Sequence, residues 1–382
     1  MRDLSLSELG ESVVREALAR SGISGGDVDE LAFGINFPGS DRSVARQVAL
    51  KAEIPDDRPA YTVDRACCSS LTAITLAARS LRLGETGIAV AGGAENLSKV
   101  PFFLEGVRWG HRLGDITLAD KLIISCPHTH VPRAVQVSDE AIQHGIDRDQ
   151  QDRWAVRSHA RAVLAEEQGY FEPERVAVHV TDERGESHVI EGDESPRPDA
   201  TLARLARLPT VYGSQTVTAG NAPGLSTGAS AVVLATKDAA EARGLAPLGT
   251  LLSSVQVCGP PAGIASIPAV AARAALKAAD LNLDDMDVVE INEAFAAVPL
   301  VSTLILADGD EARANELRER TNINGGAIAL GHPTGATAAR LIITACHELR
   351  RRGGGHALVA ICGGVGEAAG AVIQVSAPTP SS

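Results

Sequence analysis

Large rings are scarce in this chain: two Trp, three Tyr and six Phe make up 3% of its 382 residues. Cores must therefore be filled by Ala, Val, Leu and Ile, which suits an α/β protein with closely packed helices and sheets. Positive charge is also short. A net charge of −13 excludes a general binder of nucleic acid or anionic membranes, because phosphate contacts need clustered Lys and Arg. A local basic patch for a phosphorylated small ligand is not excluded. No stretch of membrane-spanning length is free of charges or breakers. Neither a secretory signal pattern nor a C-terminal Ser-Lys-Leu address is present, so a cytoplasmic location is expected. The six cysteines, at 67, 68, 126, 258, 346 and 362, are too dispersed for a disulfide scaffold and read as reduced thiols. No strand-linked Gly-x-Gly-x-x-Gly points to a dinucleotide. Cys126, His128 and His130 lack a fourth ligand and read as a polar loop, not a metal site.

What is present is a long-range repeat. Residues 9–21 carry a helical pattern, 26–34 a strand, 60–63 a second strand, and 69–83 an Ala/Leu-rich helix stopped by Gly84. A buried strand at 87–91 ends in Gly92-Gly93. The last third repeats this order: helix 269–279, strand 285–291, a segment 322–326 leading into Gly331-His332-Pro333, helix 334–351, and strand 356–361 ending in Cys362-Gly363-Gly364. Alternation of this kind predicts sheets layered with helices. The second half opens with a strand at 249–257 that has no counterpart ahead of the first helix. Residues 109–217 are richer in charge, His and Pro, with a helix at 148–168 and a polar hairpin at 176–190. They read as an inserted domain. The expected division is 1–108 with 218–246, then 109–217, then 247–382.

Candidate chemistry gathers at strand ends and helix starts. Cys67 follows a strand and precedes a helix, where the positive end of the helix dipole lowers a thiol pKa. His332, held at a Gly-His-Pro turn, is placed to take a thiol proton. Cys362 ends a strand, and the glycines after it free backbone N–H groups for a substrate oxygen. Asn292 ends the preceding strand and can orient a water or carbonyl.

These blocks, Cys67-Cys68-Ser69, Asn292-Glu293-Ala294-Phe295, Gly331-His332-Pro333 and Cys362-Gly363-Gly364, resemble in order and spacing the signatures of the thiolase family. Gly92-Gly93-Ala94-Glu95-Asn96-Leu97-Ser98 and Thr218-Ala219-Gly220-Asn221-Ala222 add to the resemblance, which runs from about residue 5 to 374. It implies a thiolase-like α/β fold: a duplicated core of two mixed five-stranded sheets in layers with helices, the first N-terminal strand missing. The inserted domain would help bind coenzyme A. The expected activity is acyl-CoA C-acyl transfer, by thiolytic cleavage of 3-ketoacyl-CoA or the reverse Claisen condensation. Cys67 would take the acyl group, His332 activate it, and Cys362 exchange the proton of the substrate α-carbon or of the leaving thiol. His332 with an Asn292-held water would form one oxyanion hole, and the N–H groups of Cys67 and Gly364 the other. Ala219, Pro223 and Ser226 would contact the coenzyme. Coenzyme A is then a substrate, with no permanently bound cofactor and no metal. The resemblance also implies a homodimer or homotetramer without nucleic-acid or membrane partners.

Departures from the family pattern are Asp64 for a usual Asn, Ser70 for a usual Gly, Pro223 for a usual Ser, and Arg133-Ala134 where Met-Gly often stands. They suggest unusual acyl specificity. The rival readings are an inactive thiolase-like acyl-CoA-binding subunit and a β-ketoacyl synthase. The latter pairs its cysteine with two histidines, where this chain has one Gly-His-Pro and a second cysteine.

Overall fold

The computed structural model describes residues 1–122, 125–181 and 184–377. Positions 123, 124 and 378–382 therefore lie outside the described residues, as do 182 and 183 of the hairpin expected at 176–190. In chain order the first half runs α1 (Leu6–Ser21), β1 (Glu30–Gly34), α2 (Val44–Lys51), β2 (Ala60–Val63), α3 (Ser69–Leu83) and β3 (Ile88–Asn96). After α4 (Arg133–Gln143) and α5 (Arg148–Glu167), β4 (Thr227–Ala235) returns to the first sheet. The second half runs β5 (Thr250–Cys258), α6 (Ile267–Ala279), β6 (Val288–Ile291), α7 (Ala297–Leu306), α8 (Thr337–Arg351), β7 (Gly355–Cys362) and β8 (Glu367–Val375). Ser5 caps α1 in a reciprocal box with Glu8, so the helix starts earlier than its apolar pattern alone indicates. Helix α2 and helix α7 were not anticipated. The first is short, and the second is apolar almost all round, so neither carries a clear amphipathic stripe.

The sheets stack with helices between and outside them, and the pleat explains how. Along β1, Ala32 faces inward while Leu31 and Phe33 face α1 and α2. Along β7, Ala357, Val359 and Ile361 face inward while Leu358 and Ala360 face α6 and α7. Helices α3 and α8 fill the layer between, through Leu71, Ile74, Leu341 and Leu349. Alternate strand residues point to opposite faces, and the small inward residues let two helices fit where aromatics would not.

Each main sheet has four strands, in the orders β2-β1-β3-β4 and β6-β7-β8-β5, where five were expected. In the first sheet, no strand precedes α1 among the described residues. The outer edge of β4 therefore lacks the antiparallel neighbour that β5 gives β8. In the second sheet the strand expected near 322–326 shrinks to a bridge between Val289 and Thr321. Asn322 adopts φ 49° and turns the chain away. Its side-chain amide then takes over the ladder, accepting from Ile291 N at 2.9 Å and donating to Ile291 O at 2.8 Å.

The middle segment holds α4, α5 and the antiparallel hairpin of Val178–Thr181 with Ser187–Ile190. Helix α5 docks on the second half. Trp154 Nε1 and Ser158 Oγ donate to Glu293 at 2.8 and 2.7 Å.

Candidate active site

Cys67 lies in the turn between β2 and α3. Ala66, just before it, takes a left-handed φ of 50°, a strained conformation for a residue with a side chain. Asp64 Oδ1 holds that turn by accepting from Ala66 N at 3.0 Å. Ser69 accepts from Arg65 N at 2.9 Å and donates to Ala66 O at 2.6 Å. Asp64 is thus exposed and bound to backbone, while Arg65 leans toward Glu367 at 3.8 Å.

The Cys67 sulfur lies 3.1 Å from His332 Nε2. On the other side of the ring, His332 Nδ1 is 2.8 Å from Thr337 Oγ1. The Thr337 hydroxyl donates to Pro333 O at 2.9 Å, so it accepts from Nδ1–H. This fixes the tautomer and leaves Nε2 as the acceptor facing the thiol. His332 N donates to Ser226 Oγ at 2.9 Å. Glu95, at the end of β3, accepts from Thr334 Oγ1 and Gly335 N at 2.6 and 2.9 Å. It also accepts from Asn36 N and Phe37 N at 3.1 and 3.0 Å. One buried carboxylate therefore ties the histidine turn of the second half to the strand ends of the first.

The double glycine of the first half is the seat of that contact. It lies inside β3, which continues to Asn96. A Cβ on Gly93 would sit 2.0 Å from Gly335 O, so only glycine lets the two backbones meet.

Asn292 Nδ2 is 3.4 Å from His332 Nε2, and its buried Oδ1 accepts from no protein group. Next to it, Glu293 also accepts from Asn322 Nδ2 and Ile328 N at 3.0 and 3.1 Å. Cys362, buried at the end of β7, stands close enough that its charge is the second cause raising the Cys67 pKa, after burial. A Cβ on Gly364 would fall 3.1 Å from Ala66 Cβ, so this turn abuts the loop that carries Cys67. Cys67, His332, Cys362, Asn292 and Gly364 thus surround one place.

The electrostatics differ from the expected thiolate. Burial, then the Cys362 and Glu95 charges, push the Cys67 thiol well up, and Arg133 only partly opposes this. Burial pushes Cys362 up to about 12. Burial, followed by the Arg340 cation, lowers His332 to about 3. The resting pair is a neutral thiol and a neutral imidazole. Desolvation outweighs the helix dipole, whose effect is confined to the first turn and modest in size.

Of the residues expected on the coenzyme, Ala219 is exposed and Pro223 partly so. Ser226 is buried, and its hydroxyl accepts from His332 N and donates to Gly224 O at 2.9 Å. It is thereby a support for the histidine. Ser70 accepts from Ala339 N at 3.1 Å and joins α3 to the first turn of α8. Sequence reasoning expected Ser226 on the coenzyme and missed its supporting role, as it missed those of Thr337, Glu95 and Glu140. The last of these accepts from Ile264, Ala265 and Ser266 N at 2.9, 2.6 and 2.9 Å. A Glu or Thr in an apolar stretch was the available signal, but its partner is distant in sequence.

Comparison with known proteins places the whole chain in one family. Residues 1–238 match the thiolase N-terminal domain and residues 245–375 the thiolase C-terminal domain. The chain is 39% identical to beta-ketothiolase BktB of Cupriavidus necator, over 98% of this chain and 94% of the relative. It is 37% identical to the mitochondrial 3-ketoacyl-CoA thiolase of Homo sapiens, over 99% of this chain and 94% of that one. A solved structure of human mitochondrial 3-ketoacyl-CoA thiolase superposes with a TM-score of 0.92 at 36% identity, covering 98% of this chain and 94% of that chain. A structure of the human enzyme in complex with CoA gives 0.90 at the same identity, over 98% and 93%. With its two halves, its cysteine–histidine pair and these relatives, the chain belongs to the thiolase family of acyl-CoA C-acyltransferases.

Proposed function

We propose that the protein cleaves 3-ketoacyl-CoA with coenzyme A, or runs the reverse condensation, through an acyl group carried on Cys67. The observation that carries this reading is the 3.1 Å contact between the Cys67 sulfur and the unprotonated Nε2 of His332. As the sulfur attacks the 3-keto carbon, its proton passes to Nε2. The C2–C3 bond then breaks, leaving the acyl group on Cys67 and an acetyl-CoA enolate, which takes a proton at carbon from the Cys362 thiol. In the second half-reaction the incoming coenzyme A thiol gives its proton to the Cys362 thiolate and attacks the acyl-Cys67 thioester, and the departing Cys67 sulfur takes back the proton held on His332 Nε2, which restores the neutral pair. Splitting the reaction in this way produces ping-pong kinetics. A resting neutral pair suits a proton that moves during attack, since neither charge is left waiting in a dry pocket.

Charge on the carbonyl oxygen needs donors fixed before it develops. The Asn292 carbonyl is a free buried acceptor suited to a water, which with His332 would serve one oxyanion. The amides of Cys67 and Gly364 would serve the other. Ala219, Pro223 and Ser226 are assigned to the coenzyme arm, within a division into two halves and an intervening 109–217 segment. The hydrogen-bonded cysteine–histidine pair favours turnover over mere acyl-CoA binding.

The protein is assigned as a homodimer or homotetramer in the cytoplasm. Supporting association, Phe102, Trp109, Leu113, Ile116 and Leu118 are exposed along one segment, Trp109 by 94%. An apolar run of this kind marks an interaction surface. Supporting a reducing compartment, all six cysteines are free thiols and two sit at the reactive centre. The test is a panel of 3-ketoacyl-CoA thioesters with mass detection of the adduct. An acyl mass on Cys67 that disappears on adding coenzyme A is expected. Absence of both adduct and cleavage across the panel rejects the assignment.

A further inference from the structure

Arg133 is the first residue of α4, and its side chain approaches the turn that carries Gly364 beside the reactive sulfurs. It is only 9% exposed. One guanidinium nitrogen, Nη1, donates to Gln136 Oε1 at 2.9 Å, and Gln136 Nε2 is itself held on Thr129 Oγ1 at 3.0 Å. The group is therefore braced from behind. Its other terminal nitrogen lies 3.8 Å from the position a Cβ on Gly364 would occupy, at the turn that adjoins Cys67. Its charge reaches both sulfurs, favouring the ionised form of Cys67 and of Cys362.

No carboxylate pairs with this cation among the described residues. Glu140, on the same helix, is occupied by three backbone N–H groups, and Glu95 by the histidine turn and the end of β1. The comparably buried Arg318, by contrast, pairs with Glu311 at 2.5 Å. A buried guanidinium without an anion is costly, and its fork of donors matches a carboxylate in geometry.

We propose that Arg133 selects 3-ketoacyl-CoA substrates whose acyl chain is short and ends in a carboxylate. The inference rests on the thiolase reading of the site and names the substrate class it accepts. The chain is short because the guanidinium stands beside Gly364, so the anion it grips lies only a few bonds from the carbon bonded to Cys67. Gln136 holds the fork in place, which reduces the ordering cost of the pair.

The test compares two thioesters of equal chain length, 3-oxoadipyl-CoA and 3-oxohexanoyl-CoA, which differ in ending in a carboxylate or a methyl group. With the intact protein, kcat/KM favours the carboxylate ester by roughly 100-fold, the scale of one desolvated charge pair. In Arg133→Met the ratio inverts, while Arg133→Lys keeps a weaker preference for the carboxylate. Equal kcat/KM in the wild type overturns the proposal, as does an Arg133→Met variant that slows both esters alike, since the cation would then serve only the sulfurs. If Arg133→Met does not fold, the wild-type ratio and the Arg133→Lys variant decide. An acyl-Cys67 adduct formed equally from either ester leaves the thiolase reading standing and removes the selectivity. No adduct from either ester removes both.

Discussion

At the scale of single residues, the chemistry depends on a proton shared by groups that burial keeps neutral. Cys67 and His332 face each other at 3.1 Å with the thiol pKa raised and the imidazole pKa lowered to about 3. The sign follows from the shift. An imidazole whose pKa falls below its ordinary 6.5 stays neutral throughout the working range, so kcat/KM should show no acid limb centred near 6.5 in a pH–rate profile. A limb at that value would argue for a solvated histidine. In the proposed reaction the second thiol, Cys362, has a separable duty. Cys362→Ala should still accept an acyl group on Cys67 from acyl-CoA, as seen by mass spectrometry. It should exchange the α-protons of acetyl-CoA with deuterated solvent about 10²–10⁴-fold more slowly, the usual contribution of a positioned acid or base.

At the scale of elements, each strand end delivers its residue because a buried polar group fixes it. β6 shows the cost. Glu290 lies fully inside it with neither carboxylate oxygen hydrogen-bonded, and Arg340 is 4.0 Å away. Burial above all raises this carboxyl to about 8 from its ordinary 4.5. Between those values the folded chain holds a proton that the unfolded chain releases. Stability from this group is therefore full at low pH and lost as pH rises toward 8. Glu290→Gln, uncharged and of like shape, should melt close to wild type at pH 5 and higher than wild type, by roughly 2 °C or more, at pH 8.5. A difference independent of pH in differential scanning fluorimetry would contradict this.

At the scale of the whole molecule, the Cys67–His332 contact exists only where the two halves meet. β3 supplies Gly93 and Glu95, and the loop before α8 supplies His332 and Gly335. Gly93→Ala would place a methyl 2.0 Å from Gly335 O and 2.7 Å from Gly34 O, both backbone atoms that cannot swing aside. The halves must part, and thiolysis should fall by more than about 100-fold, since small misplacements at a reacting pair carry that cost. Gly26→Ala serves as the control. Its Cβ would meet only Ser24 Oγ at 3.6 Å, and kcat should be unchanged in the same assay.

Much of this was legible in the residues themselves. The apolar periodicity with its Gly84 stop located α3 at residues 69–83, and the recurrence of Cys, Gly-His-Pro and Cys-Gly-Gly blocks marked the reactive turns. Local order of this kind depends on neighbours a few positions apart, which a sequence displays directly. Contacts between distant residues are not displayed. Asn322 replaced a strand with its side chain, Ser226 became a support for His332, and Glu95 joined segments more than two hundred positions apart. Ionisation was the furthest from view. A helix start predicts an easily ionised thiol, but how dry the pocket around Cys67 is depends on every element packed about it. Local pattern in the residues was therefore enough to single out the candidate reactive groups. The tertiary structure alone decided their charge and their shared location, because desolvation and distance arise only when the two halves close on each other.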